Sequence, residues 1–119
     1  MNSLISLLQS DKTSFFMEAH NGIFAKIVEK VGFDGVWASG LSIATSLGIR
    51  DNNELSWKTI VDIISYVASA IDIPVLVDGD TGFGDFNNAR IFTKQLRQVG
   101  ASGVCFEDKV FPKANSFLK

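Results

Sequence analysis

Apolar residues recur along the chain in short blocks, and their spacing switches between that of a helix and that of a strand. Leu4, Ile5, Leu7 and Leu8 precede polar Gln9, Ser10 and Asp11, which predicts a short leading helix, and Ser14 to Glu18 then reads as a strand. After Asn21 and Gly22, the residues Ile23, Phe24, Ile27, Val28 and Val31 fall on one helical face, with Gly32 where a C-cap belongs. Phe33 to Ala38 predicts a second strand. Ser56 can cap a helix whose apolar face is Ile60, Ile63, Ile64, Val67 and Ile71, and Pro74 to Val77 predicts a third strand. Ala89, Phe92, Leu96 and Val99 line a further helix ending at Gly100, and Ser102 to Phe106 predicts a fourth strand before a polar, Pro-containing tail. The expectation is therefore four strands with three intervening helices.

Strands that are apolar throughout, separated by amphipathic helices, predict a parallel sheet covered by helices. Two architectures answer to that description. A doubly wound open sheet is nearly complete at 119 residues, whereas a closed (β/α)8 barrel takes ~250, so the chain would be about its N-terminal half. Length favours the open sheet. The acidic residues favour the barrel, because Asp78 and Asp80 follow the third strand and Glu107 and Asp108 the fourth, at the carboxyl ends where parallel α/β folds bind ligands.

Composition narrows the function classes. With 46% hydrophobic and 20% charged residues the chain reads as an ordinary globular segment. Eleven Lys and Arg against thirteen Asp and Glu, a net charge of −2, do not provide the concentrated positive charge that nucleic acid or an anionic membrane requires. No apolar run reaches the ~20 residues of a membrane span, and no basic region precedes an apolar stretch at the start. The single Cys105 excludes an internal disulfide and a thiol-rich zinc site, which predicts a reducing, cytoplasmic setting. Within Val104-Cys105-Phe106 it reads as a buried, inert small hydrophobe.

Candidate chemistry concentrates in Val77-Asp78-Gly79-Asp80-Thr81-Gly82-Phe83-Gly84. It sets two carboxylates at i and i+2 beside glycines that let backbone approach a ligand. Hard oxygen donors of this kind suit Mg²⁺; a turn with helix-capping acids is the alternative. Glu107-Asp108-Lys109 adds weight to the metal, since acids gathered at adjacent strand ends repel one another unless a cation lies among them. Ser39-Gly40-Leu41 can present consecutive N–H groups to an anion or form a plain turn. Arg50-Asp51-Asn52 lies in a connection longer than the ~2–6 residues usual there. Asp51 can face a phosphoryl group, as nucleophile or electrostatic partner, or pair with Arg50 in solvent. His20, the lone histidine, lies just past the first strand, where it can touch the site or satisfy a turn, and the turn is the expectation.

The segments Trp37-Ala38-Ser39-Gly40-Leu41, Leu47-Gly48-Ile49-Arg50-Asp51, Asp78 to Gly84 and Glu107-Asp108-Lys109-Val110-Phe111-Pro112-Lys113-Ala114-Asn115-Ser116 together resemble the phosphoenolpyruvate mutase and isocitrate lyase superfamily, and within it the mutases. The resemblance covers nearly the whole chain. It implies a (β/α)8 barrel, dimers or tetramers of the full-length chain, and interconversion of phosphoenolpyruvate and phosphonopyruvate. It further implies that Asp78 is the direct Mg²⁺ ligand, with Asp80, Glu107 and Asp51 holding the metal's waters. Trp37, Ser39, Gly40 and Leu41 resemble the substrate-contacting strand end, Asp51 the residue facing the migrating phosphoryl group, and Asn115 and Lys113 its contacts from a gating loop. Gly79 departs from the alanine frequent there. The lyases' catalytic Lys-Arg-Cys-Gly-His has no counterpart, the chain reading Lys113-Ala114-Asn115-Ser116-Phe117 instead. Phosphonopyruvate hydrolase is the nearer competitor, and Asn115 favours the mutase. Two rivals from other classes are a receiver-like phospho-acceptor domain, whose acid pair would follow the first strand, and a non-catalytic fragment that binds a partner through open barrel edges.

Overall fold

A computed structural model of the chain describes residues 3–113. Helix α1 (Leu4–Gln9) leads into strand β1 (Phe16–Glu18), and helix α2 (Gly22–Val31) into β2 (Gly35–Ala38). Helices α3 (Gly40–Ser46) and α4 (Trp57–Ala70) precede β3 (Val75–Asp78), and α5 (Phe86–Gln98) precedes β4 (Gly103–Cys105). The local signals at the helix ends act as their chemistry requires. The Asn21 side chain accepts from the Phe24 N–H, the Ser56 side chain from that of Lys58, and Gly32 takes the left-handed φ of +106° that ends α2. α3 was not expected. Its sequence, Gly-Leu-Ser-Ile-Ala-Thr-Ser, is short and carries Gly and β-branched residues of low helix propensity, so packing of Ile43 and Ala44 into the core holds it.

The strands pair in parallel in the order β1-β2-β3-β4. That order decides the architecture. A doubly wound sheet reverses direction at a switch point, whereas sequential order with the connecting helices α2, α4 and α5 on one face is the arrangement of a (β/α)8 barrel. Alternation along the strands divides the two faces: Val36, Ala38, Val75 and Val77 are buried beneath the helices with Ile60, Ile64, Val67, Phe92 and Leu96. Trp37, Leu76 and Asp78 stand on the other face, the inner wall of a barrel, and are half-buried. α1 closes the lower end of that wall, where the Leu4 side chain fills the space beside Gly103. Among the described residues no helix is long and apolar enough to cross a membrane.

The expectation that Cys105 is buried fails, for a reason that α2 shows as well. On α2 only Ala25 and Val28 are buried, while Ile23 and Val31 are 67% and 69% exposed and Phe24 and Ile27 about half so. Cys105, expected inside, is exposed. α2 and β4 lie at the two margins of the layered unit, and residues patterned for two neighbours find one here. A polypeptide of these residues expressed alone should therefore associate, because parallel edges and an apolar helix flank are both open. Size-exclusion chromatography with light scattering should show species above the monomer mass; a monodisperse monomer with a cooperative melt would contradict this.

Candidate functional site

Parallel strands deliver the residues that follow them to one rim, and the acids lie there. Asp78, the last residue of β3, is held at both carboxylate oxygens by backbone: the Gly40 N–H donates to Oδ2 at 3.0 Å and the Asp80 N–H to Oδ1 at 3.1 Å. Gly40 permits this, since a Cβ there would stand 3.0 Å from Asp78 Oδ2. Ser39 is the N-cap of α3, its hydroxyl accepting from the Ser42 N–H at 3.3 Å, and Leu41 lies half exposed in the first turn of that helix. Trp37 stands on the inner face of β2 between Glu18 and Leu76.

Asp80 is the buried polar residue of the rim, 4% exposed and at a left-handed φ of +48°. Lys113 Nζ donates to Asp80 Oδ1 at 2.6 Å and lies 2.9 Å from Asp51 Oδ1, so one ammonium joins two carboxylates from different loops. Burial pushes the Asp80 carboxyl up from its ordinary range; the ammonium opposes this, and the nearby Asp78 and Asp51 add to it. Burial works against the charge on Lys113, but the carboxylates of Asp80 and Asp51 outweigh it, and its pKa is raised well above that of a free lysine.

Asn53 escaped the sequence reading. At a φ of +64°, which asparagine tolerates better than most residues, it accepts from the Lys113 N–H at 2.6 Å and reaches Asp80 Oδ2 with its amide nitrogen at 3.5 Å. The signal available was the turn-forming run Asp51-Asn52-Asn53. The Arg50–Asp51 pair entertained from the sequence is absent: Arg50 bonds Glu54 instead, which leaves Asp51 to Lys113.

The remaining candidates are placed differently. The Glu107 N–H donates to the Asp80 carbonyl at 2.6 Å, but its side chain is exposed and pairs with Lys109 at 2.6 Å, a hydrogen bond that holds its carboxyl below the ordinary range. His20 lies 2.9 Å from Glu18 Oε1 and against the Phe24 ring. A methyl group at Gly79 would stand 2.6 Å from Val104 Cγ2 and 2.7 Å from the Phe106 ring, so these side chains occupy the space an alanine would need. Asn115 lies outside the described residues.

The donor set fits a magnesium ion held the way that ion ordinarily is. Among the described residues no three Asp, Glu, His or Cys side chains converge to enclose an ion by themselves. Mg²⁺ uses one or two carboxylates and completes its shell with water, and here a cation already lies between two of the acids in the form of Lys113. Among the described residues, Asn52 Oδ1 and Thr81 Oγ1, next in sequence to Asp51 and Asp80, are buried without a hydrogen-bond partner.

A parallel βα unit with a buried carboxylate, Asp80, just beyond a strand end defines the class of barrel proteins whose ligand site is the carboxyl rim. The profile of the family described as phosphoenolpyruvate phosphomutase matches residues 4–118, and the chain belongs to that family. It is 50% identical over 115 residues to a phosphoenolpyruvate phosphomutase of Tetrahymena pyriformis, an alignment spanning 97% of this chain and 38% of the relative. Among solved structures, the phosphoenolpyruvate phosphomutase from Streptomyces platensis subsp. rosaceus superimposes with a TM-score of 0.94 at 38% identity, covering 98% of this chain and 40% of its own. A phosphonopyruvate hydrolase in complex with oxalate and Mg²⁺ superimposes with a TM-score of 0.90 at 39% identity, covering 93% and 39%. The chain thus spans about two fifths of the length of these relatives.

The Asn53 contact is directly testable in a polypeptide carrying the complete barrel. Asn53→Ala should speed amide hydrogen exchange at Lys113 by roughly fivefold, the loss of a net hydrogen bond of about 1 kcal/mol. Asn53→Gly should do the same with less loss of stability, because glycine adopts positive φ freely. Unchanged exchange at Lys113 in both variants would show that the contact does not hold that segment.

Proposed function

We propose that residues 1–119 are the N-terminal half of a single barrel domain of a phosphoenolpyruvate phosphomutase, which interconverts phosphoenolpyruvate and phosphonopyruvate. The observation that carries this reading is the convergence of Asp51 and Asp80 on one positive charge beside the backbone-fixed Asp78, at the carboxyl ends of parallel strands. In this reading Asp78 holds Mg²⁺ directly, and Asp80, Asp51 and Glu107 hold its waters. When bound, the ion withdraws electron density from the carbonyl or enolate oxygen of the substrate.

The chain's own residues then position and confine. The amides fixing both Asp78 oxygens keep that carboxylate in one orientation, so it needs no rearrangement as charge develops. Trp37 walls the inner face, and Ser39 with the Gly40-Leu41 amides grips the carboxylate and carbonyl oxygen of the pyruvate part; the Gly40 amide is shared with Asp78. Moving a phosphoryl group from oxygen to carbon passes through a loose, anionic species, so catalysis rests on placement and charge stabilisation more than on acid–base work. Asp51 faces that group from the loop beyond α3, where its Oδ1 lies 2.9 Å from Lys113 Nζ. Asn115 donates hydrogen bonds to it without activating water, which separates a mutase from a hydrolase. The absence of a cysteine in Lys113-Ala114-Asn115-Ser116 removes the group that lyases of the superfamily use. The partner is accordingly a small anionic substrate, and a dimer or tetramer is the expected assembly of the full-length chain.

The complete enzyme given phosphonopyruvate and Mg²⁺ should yield phosphoenolpyruvate, with pyruvate and phosphate as minor products, followed by phosphorus NMR. Asn115→Ala should slow turnover sharply; phosphate as the main product of the unaltered protein would replace this reading by the hydrolase. Asp51→Asn should lower kcat and kcat/KM together, as loss of an interaction made chiefly in the transition state does, whereas a change confined to KM would assign Asp51 to ground-state binding.

A further inference from the structure

One oxygen of Asp80 and one of Asp51, of the kind a hydrated cation would use at this rim, are already engaged by the chain's own ammonium. Lys113 Nζ lies 2.6 Å from Asp80 Oδ1 and 2.9 Å from Asp51 Oδ1, with its side chain only 12% exposed, and among the described residues neither carboxylate has another basic partner. An ammonium and a divalent ion competing for the same oxygens repel at close range, so the two do not share them without cost. The backbone around Lys113 is held separately, by its N–H on Asn53 Oδ1 at 2.6 Å and by the Glu107 N–H on the Asp80 carbonyl at 2.6 Å. The flexible four-carbon stem can therefore swing its charge outward while the segment stays anchored. From this we infer that Lys113 Nζ is the resident counter-ion of the acidic cluster and exchanges with the divalent cation, leaving Asp51 and Asp80 when the ion enters beside Asp78. The inference rests on the metal reading given above and adds that cation entry and the position of Lys113 are coupled. An internal competitor lowers apparent affinity for the ion, and its removal restores the intrinsic value.

The test uses the complete barrel polypeptide and MgCl₂ alone, without substrate. Reductive methylation of lysines, read by peptide mass spectrometry, should be slow at Lys113 without metal and severalfold faster with saturating Mg²⁺, while exposed Lys26 is unaffected. Calorimetry should show Lys113→Met binding Mg²⁺ about tenfold more tightly than the unaltered protein, with Lys113→Arg, which keeps the charge, showing no such gain. Because labelling is measured on the unaltered protein, the test survives a variant that fails to fold. Mg²⁺ binding that Asp78→Ala abolishes, together with unchanged or slower labelling of Lys113, overturns the exchange and leaves the metal site standing. Absence of any binding that depends on Asp78 overturns both.

Discussion

A carboxylate that is 4% exposed, as Asp80 is, needs a positive partner, and the form of the rim follows from how it obtains one. Lys113 supplies it from a segment beyond β4, Asp51 shares it from the loop beyond α3, and Asn53 ties the two loops through the Lys113 backbone. Three connections separated in sequence are thereby drawn to one point above β3. Removing the charge would leave Asp80 desolvated beside Asp78 and Asp51, which is the arrangement that most favours protonation or a substitute cation.

The sheet makes this convergence possible. Parallel register places Trp37 beside Leu76 and Asp78 beside Cys105, so the inner-face residues rise in steps toward the rim. α3 begins immediately after β2, which brings the Gly40 amide to the Asp78 carboxylate, and the missing side chain of Gly40 lets them meet. Left-handed backbone at Asn53, Asp80 and Phe83 concentrates in the same loops, as strain does where a site dictates conformation.

Much of the fold was legible because its signals are local. Asn21, Gly32 and Ser56 mark helix ends by what their own atoms do, and uniformly apolar strands between amphipathic helices specify a parallel sheet. α3 was hidden because tertiary packing of Ile43 and Ala44, rather than propensity, makes it a helix. The outward flank of α2 was legible as an apolar face, which says that something covers it, never what. At the site, the acids Asp51, Asp78 and Asp80 could be read as residue types at strand ends. The ammonium joining them could not: Lys113 and Asp80 are 33 positions apart, and the decoy pair Arg50–Asp51 lay adjacent. Asn53 was obscured for the same reason, its role being a contact with Lys113, 60 positions and four elements away.

The central claim is that this rim is a divalent cation site organised on Asp78. Crystals of the complete barrel polypeptide grown with Mn²⁺, which takes the same oxygen ligands as Mg²⁺ and scatters anomalously, locate the ion without reference to activity. The account predicts an anomalous peak bonded to a carboxylate oxygen of Asp78, with the carboxylates of Asp80 and Asp51 hydrogen-bonded to its waters. A peak held by other residues, or none at the end of β3, would contradict it.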